Sequence, residues 1–136
     1  MQNTYIYIKV VIACLFGVVV NFLGGWDTAL QTLLTLTVLD FITGVLTAIV
    51  NKNLSSSIAA KGIVKKIGIY ALIAAVVAAG DILGNSDLRG IVISFFIITE
   101  IISIVENWAD FGLPIPPQLK TILADLKNST TDTTNN

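Results

Sequence analysis

Four long apolar blocks make up most of this chain, and the polar positions that interrupt them recur at regular steps. Tyr5 to Leu23 is the first block; as a helix its 19 residues reach ~28 Å, close to the ~30 Å of a bilayer's hydrocarbon. The pattern predicts helical spans over about 5–23, 28–50, 63–83 and 91–108, joined by a Gly24-Gly25 reversal, a polar loop over 51–66 and a turn over 84–90. The fourth block is the shortest: Ile91 to Val105 barely crosses, and only extension to Trp108 gives it the length. A fourth segment that stops at the interface is the topological alternative.

Inside the second block Thr37, Asp40, Gly44, Thr47 and Asn51 recur at steps of three and four, which is one face of a helix. Hydroxyls and a carboxylate do not face lipid, so this stripe is expected to meet another helix, a second subunit or water. In the fourth block Glu100 shares a face with Ser103 and Asn107. An intramembrane carboxylate costs about 2.5–3.5 kcal/mol on insertion scales, which makes Asp40 and Glu100 the candidate functional or assembly groups. The third block places Gly68, Ala71, Ala75 and Ala79 at helical spacing, a face that lets helix backbones approach closely and is the expected helix-packing surface.

Between the second and third blocks lie Lys52, Lys61, Lys65 and Lys66, with Ser55 or Ser56 able to cap a short surface helix through Lys61 and Gly62 permitting a turn into the third span. These four lysines read as a topology signal and as contacts to lipid headgroups. Arg89 stands alone on the opposite side, and Lys120 and Lys127 follow the last span. The positive-inside tendency therefore puts the lysine loop and both termini in the cytoplasm, N-in and C-in, as four spans require. Lys9 precedes an apolar core, but no small-residue cleavage site follows, so the first block reads as a span and not as a signal peptide; Cys14 within it reads as a small buried residue. After residue 109 a proline break leads into an amphipathic stretch ending near residue 127, with Leu119, Ile122, Leu123 and Leu126 on one side. The polar tail, 128–136, is expected to be disordered.

Composition sharpens the class. With 54% hydrophobic and 12% charged residues the chain falls far below the ~25% charge of soluble domains, so a membrane is its expected solvent. A net charge of -1, with the basic residues clustered in one loop and not spread along a face with aromatic interleaving, disfavours nucleic acid as a partner. One cysteine and no histidine leave neither an intrachain disulfide nor the usual neutral-pH base. No catalytic constellation, metal-ligand spacing or cofactor-binding loop is present, so no enzyme, metal or cofactor is expected. Residue chemistry alone gives an all-α integral membrane protein, its four spans arranged as two hairpins, that associates with itself and with lipids.

Three blocks, LDFITGVLTAIVNK, SSSIAAKGIVKK and ENWADFGLPIPPQL, resemble the toxin-secretion and phage-lysis holin family (holin family 4) over roughly residues 35–125. The matching positions are Asp40, Thr43 and Gly44; Lys61, Gly62, Lys65 and Lys66; and Glu106, Asn107, Gly112, Pro114 and Pro116. The Thr/Asn tail is neutral where many members carry a basic one. The resemblance implies a phage holin that forms homo-oligomers in the host bacterial cytoplasmic membrane, opens a lesion for an endolysin and so lyses the cell; some members are implicated in toxin export. The endolysin would be a functional partner without direct contact. The alternative from another class is a small proton-coupled transporter or ion channel using Asp40 or Glu100, and a third is a membrane anchor without a pore.

Overall fold

The computed structural model describes residues 2–53 and 55–132, and its regular elements among them are all helices. Its elements are α1 (Gln2–Phe22), α2 (Thr28–Val50), α3 (Ser56–Leu83), α4 (Asp87–Asp110) and α5 (Pro117–Asp132). The first four are long and apolar enough to cross a membrane. For α4 the 24 residues correspond to ~36 Å, so the short apolar run is completed by its polar ends.

Each boundary has a local cause. Asp27 caps α2 by accepting the Leu30 N–H at 2.9 Å. At the other end of α2, Lys52 adopts a left-handed conformation with φ 55°, and the Asn53 N–H reaches back to the Ala48 carbonyl at 2.9 Å. Ser55 then caps α3 by accepting the Ile58 N–H at 3.2 Å. From this cap α3 runs unbroken through Gly62 to Leu83, and most of the expected 51–66 loop is helix. Ala59, Ala60, Lys61, Lys65 and Lys66 favour the helix strongly enough that one glycine, costing about 1 kcal/mol, does not interrupt it.

Helix packing also departs from two simple hairpins. The most extensive contact is between α2 and α4, which run parallel and are not neighbours in sequence; α3 lies antiparallel to both and packs chiefly on α4. Helix α1 stays at the edge, touching α3 and laying Phe16 edge-on against Trp26, with ring centroids 5.3 Å apart. Its side chains, Cys14 included, are almost all exposed in the single chain, contrary to the buried position expected for that cysteine. An apolar helix needs no protein cover where lipid is the solvent.

Two layers of different chemistry divide the bundle along its length. Near the α1–α2 and α3–α4 turns Leu23, Leu30, Leu33, Ile69, Ile73 and Ile93 form a buried apolar core. Toward the lysine end the same helix faces continue with polar residues. On α2 the sequence of inward positions is Leu30, Leu33, Thr37, Asp40, Gly44 and Thr47, so the polar stripe is the lower half of the core face. On α3 the inward face carries Ile69, Ile73, Val77 and Gly80, and the expected small-residue face turns away from the bundle: Gly68, Ala71 and Ala75 are exposed, with Ala79 half-buried. The larger residues fill the space between helices within the chain, leaving the small ones on its surface.

After the proline break, α5 continues five residues past the expected limit at 127, so the segment 128–132 is helical. Residues 133–136 of the expected disordered tail lie outside the described residues, as do the side chains of Leu123 and Leu126. Ile122 is exposed and Leu119 half-buried.

Candidate functional site: one lysine between two carboxylates

The polar half of the bundle is organised around Lys66. It lies on the inward face of α3, one turn before Tyr70, and its ammonium reaches across to both neighbouring helices. Nζ donates to Asp40 Oδ2 at 2.5 Å and also to Glu100 Oε2. Glu100 is only 3% exposed, and the Lys66 side chain 16%, so the triad is largely withdrawn from solvent. Asn107, two turns beyond Glu100 on α4, closes the other side: its Nδ2 donates to Asp40 Oδ1 at 3.1 Å and to Thr43 Oγ1 at 3.0 Å. The Thr47 hydroxyl donates to the Thr43 carbonyl at 2.9 Å and approaches the Asn107 carbonyl at 3.4 Å. One turn toward the apolar core the Tyr70 hydroxyl donates to Thr37 Oγ1 at 3.2 Å. No buried side-chain nitrogen or oxygen among the described residues lacks a partner.

Depth makes this arrangement unusual. Asp40 is twelve residues from the start of α2 and ten from its end, or ~18 Å and ~15 Å along the axis, so the triad sits near mid-span. There a charged side chain has no water to offset its desolvation and must be paired. Replacing a buried ion cluster by apolar residues is often neutral or stabilising, so burial of the cluster is weak evidence for a purely stabilising role. The groups suit an electrostatic lock: one ammonium holds two helices that each contribute a carboxylate, and loss of the ammonium would leave those carboxylates facing one another.

The opposite end carries a second polar clamp. Arg89, near the start of α4, donates from Nε to the Leu23 carbonyl at 2.6 Å and from Nη2 to the Gly25 carbonyl at 3.2 Å. Its Nη1 meets Asp27 Oδ2 at 2.5 Å, and this hydrogen bond, with the Leu30 N–H, holds the Asp27 carboxyl below the ordinary aspartate value. Gly24, with φ +80°, leaves room for the arginine: a Cβ there would stand 2.7 Å from Arg89 Cδ. The guanidinium thus ties the α1–α2 reversal to α4.

Of the positions singled out in the sequence, the structure brings Thr37, Asp40, Gly44, Thr47 and Glu100 to one inter-helix seam and places Asn51 at the α2 C-cap, exposed and outside it. Lys52, Lys61 and Lys65 are exposed, whereas Lys66, expected with them at the headgroup layer, is an interior ion-pair partner. The signal for Lys66 lies in its register: it continues the Ile69–Ile73–Val77–Gly80 face by one turn, and Lys61 and Lys65 do not. Asn107 was legible through its spacing from Glu100 and Ser103; Tyr70 and Arg89 had no marker beyond being polar next to apolar runs.

Residues 17–128, which hold the triad, the Arg89 clamp and α2 to α4 entire, match the bacteriophage holin family. The chain belongs to that family. It is therefore a holin-type membrane protein, and the match omits most of α1, a helix at the edge of the packed bundle. Among curated proteins it is similar to the "Uncharacterized 14.9 kDa protein in nagH 3'region" of Clostridium perfringens, with 38% identity over 94% of this chain and 98% of the relative. It is also similar to an uncharacterized protein of Listeria innocua, Lin0175, with 37% identity over 79% of each chain. A third relative is the uncharacterized Bacillus subtilis protein YqxH, 34% identical over 85% of this chain and 83% of the relative. No solved structure matches.

Proposed function

We propose that this chain is a phage holin that assembles as homo-oligomers in the bacterial cytoplasmic membrane and opens a lesion through which an endolysin reaches the cell wall. The observation that carries the reading is the Lys66 triad midway along α2 in a holin-family chain with four helices long and apolar enough to span a membrane. In the closed form the charges satisfy one another inside the single chain, which lets the protein accumulate without conducting. When subunits associate, the seam between α2 and α4 opens and the stripe Thr37, Asp40, Gly44 and Thr47 exchanges its partners for water. The outward Gly68, Ala71 and Ala75 face of α3 supports self-association, because small residues permit close helix contact where lipid is the solvent. Pore opening of this kind requires no enzyme site. The lysine-bearing ends of the helices lie in the cytoplasm by the positive-inside tendency, giving N-in and C-in termini.

Induced expression in bacteria with a cytoplasmic endolysin tests the reading. Abrupt lysis after a delay is the expected result. Ion flux without escape of the enzyme would overturn it in favour of a small transporter or channel, and neither lysis nor flux would leave a membrane anchor.

A further inference from the structure

We propose that the groove between α2, α3 and α4 at the lysine end of the bundle is a binding site for one anionic phospholipid, its phosphate held by Lys61 and Lys65 and an acyl chain lying along the groove. The cleft has a volume of about 820 Å³, within the ~300–1,000 Å³ range of small-molecule sites. Phe41 and Val45 of α2, Ile58 and Ile69 of α3 and Phe96 of α4 give it apolar walls, and the triad residues line it between them. Gly62 and Gly68 line it without filling it: a Cβ added at either would meet nothing within 4 Å.

Charge identifies the occupant. Lys61 and Lys65 both line the groove, are exposed, and make no ion pair among the described residues, because the two carboxylates of the groove, Asp40 and Glu100, are both engaged by Lys66. They are four residues apart on α3, so their side chains are neighbours on one face, about 5–6 Å apart at Cβ. Lys66 is level with Asp40, ~15 Å from the end of α2; Lys65 is ~1.5 Å and Lys61 ~7.5 Å nearer that end along α3. Lys65 therefore carries an unpaired charge well inside the span and Lys61 carries one a turn closer to the surface. A headgroup phosphate drawn between them supplies the missing anion, and basic pockets between membrane helices are known to take such headgroups. A second cleft, about 380 Å³ and lined in part by Trp26, is walled by Phe16, Leu23, Leu30 and other apolar or aromatic side chains, with no cation. The inference needs only the membrane location and stands or falls independently of lysis.

Native mass spectrometry of the purified full chain, titrated with phosphatidylglycerol or with phosphatidylcholine of the same acyl chains, tests it. One phosphatidylglycerol per chain should bind in preference to phosphatidylcholine. Lys61→Gln should weaken it about fivefold and the Lys61→Gln/Lys65→Gln pair about 25-fold, at ~1 kcal/mol per lysine. Lys52→Gln, which removes the same charge outside the groove, should have little effect. Gly62→Leu should block the groove while circular dichroism shows unchanged helix content, since its Cβ meets no atom within 4 Å and the rest of the side chain extends into the open groove. Equal retention of the two lipids, equal losses for Lys52→Gln and Lys61→Gln, or undiminished binding to Gly62→Leu would overturn the site. Efficient cross-linking of Gly62→Cys between copies (with Cys14→Ser) in phosphatidylglycerol membranes would also overturn it, by showing that a second copy fills the groove.

Discussion

Lys66→Met removes the one cation of the triad and keeps a side chain of similar length on the inward face of α3. Asp40 and Glu100, with side chains 12% and 4% exposed, are then left without their ammonium partner, although Asn107 still donates to Asp40. Removing one partner from a buried ion pair typically destabilises by about 3–5 kcal/mol, because the remaining charge keeps its desolvation cost. At ~1.4 kcal/mol per factor of ten this corresponds to a loss of two to three and a half powers of ten in the folding equilibrium. The charge-free triple variant Asp40→Asn/Glu100→Gln/Lys66→Met should recover most of that loss, since all three groups lose their charge together. Unfolding in mixed detergent micelles, followed by circular dichroism, measures both. If Lys66→Met unfolds within about 1 kcal/mol of the parent, or if the triple variant is no more stable than the single one, the triad is not a buried electrostatic lock.

Asp40→Leu should change or abolish the timing of lysis at equal expression, and unchanged timing would remove that carboxylate from the mechanism. Gly24→Ala should destabilise by about 1–2 kcal/mol, measured in the same unfolding assay, because the alanine would hold a left-handed φ and its Cβ would collide with Arg89. Asp27 titrates lower in the folded chain than when unfolded, so its contribution is present above about pH 4 and is lost as pH falls through the folded value. Because Asp27 is half exposed the effect should stay below ~1 kcal/mol, and Arg89→Gln should abolish it when unfolding is followed from about pH 5 to about pH 2. Ser56→Cys, with Cys14→Ser, should resist an impermeant thiol reagent in intact cells; ready labelling would invert the proposed orientation.

The sequence by itself determined the solvent and the helices. Runs of Leu, Ile and Val broken by one glycine pair and by Ser/Asn turns specify spans because bilayer thickness and backbone hydrogen bonding leave few other solutions. The 3–4 spacing from Thr37 to Thr47 likewise fixed a polar face, since that periodicity is a property of one helix. What covers the face was not legible in one helix: only tertiary packing set α2 parallel to α4, its neighbour in space and not in sequence, and brought α3 alongside. That register turned Lys66 inward while Lys61 and Lys65, five and one residues before it, stayed exposed. All four lysines share composition and surroundings in the sequence, and rotation of α3 about its axis decided which one became the partner of Asp40 and Glu100. The small-residue face followed from the same rotation: once Ile69 and Ile73 filled the interior, Gly68, Ala71 and Ala75 had to point away from it.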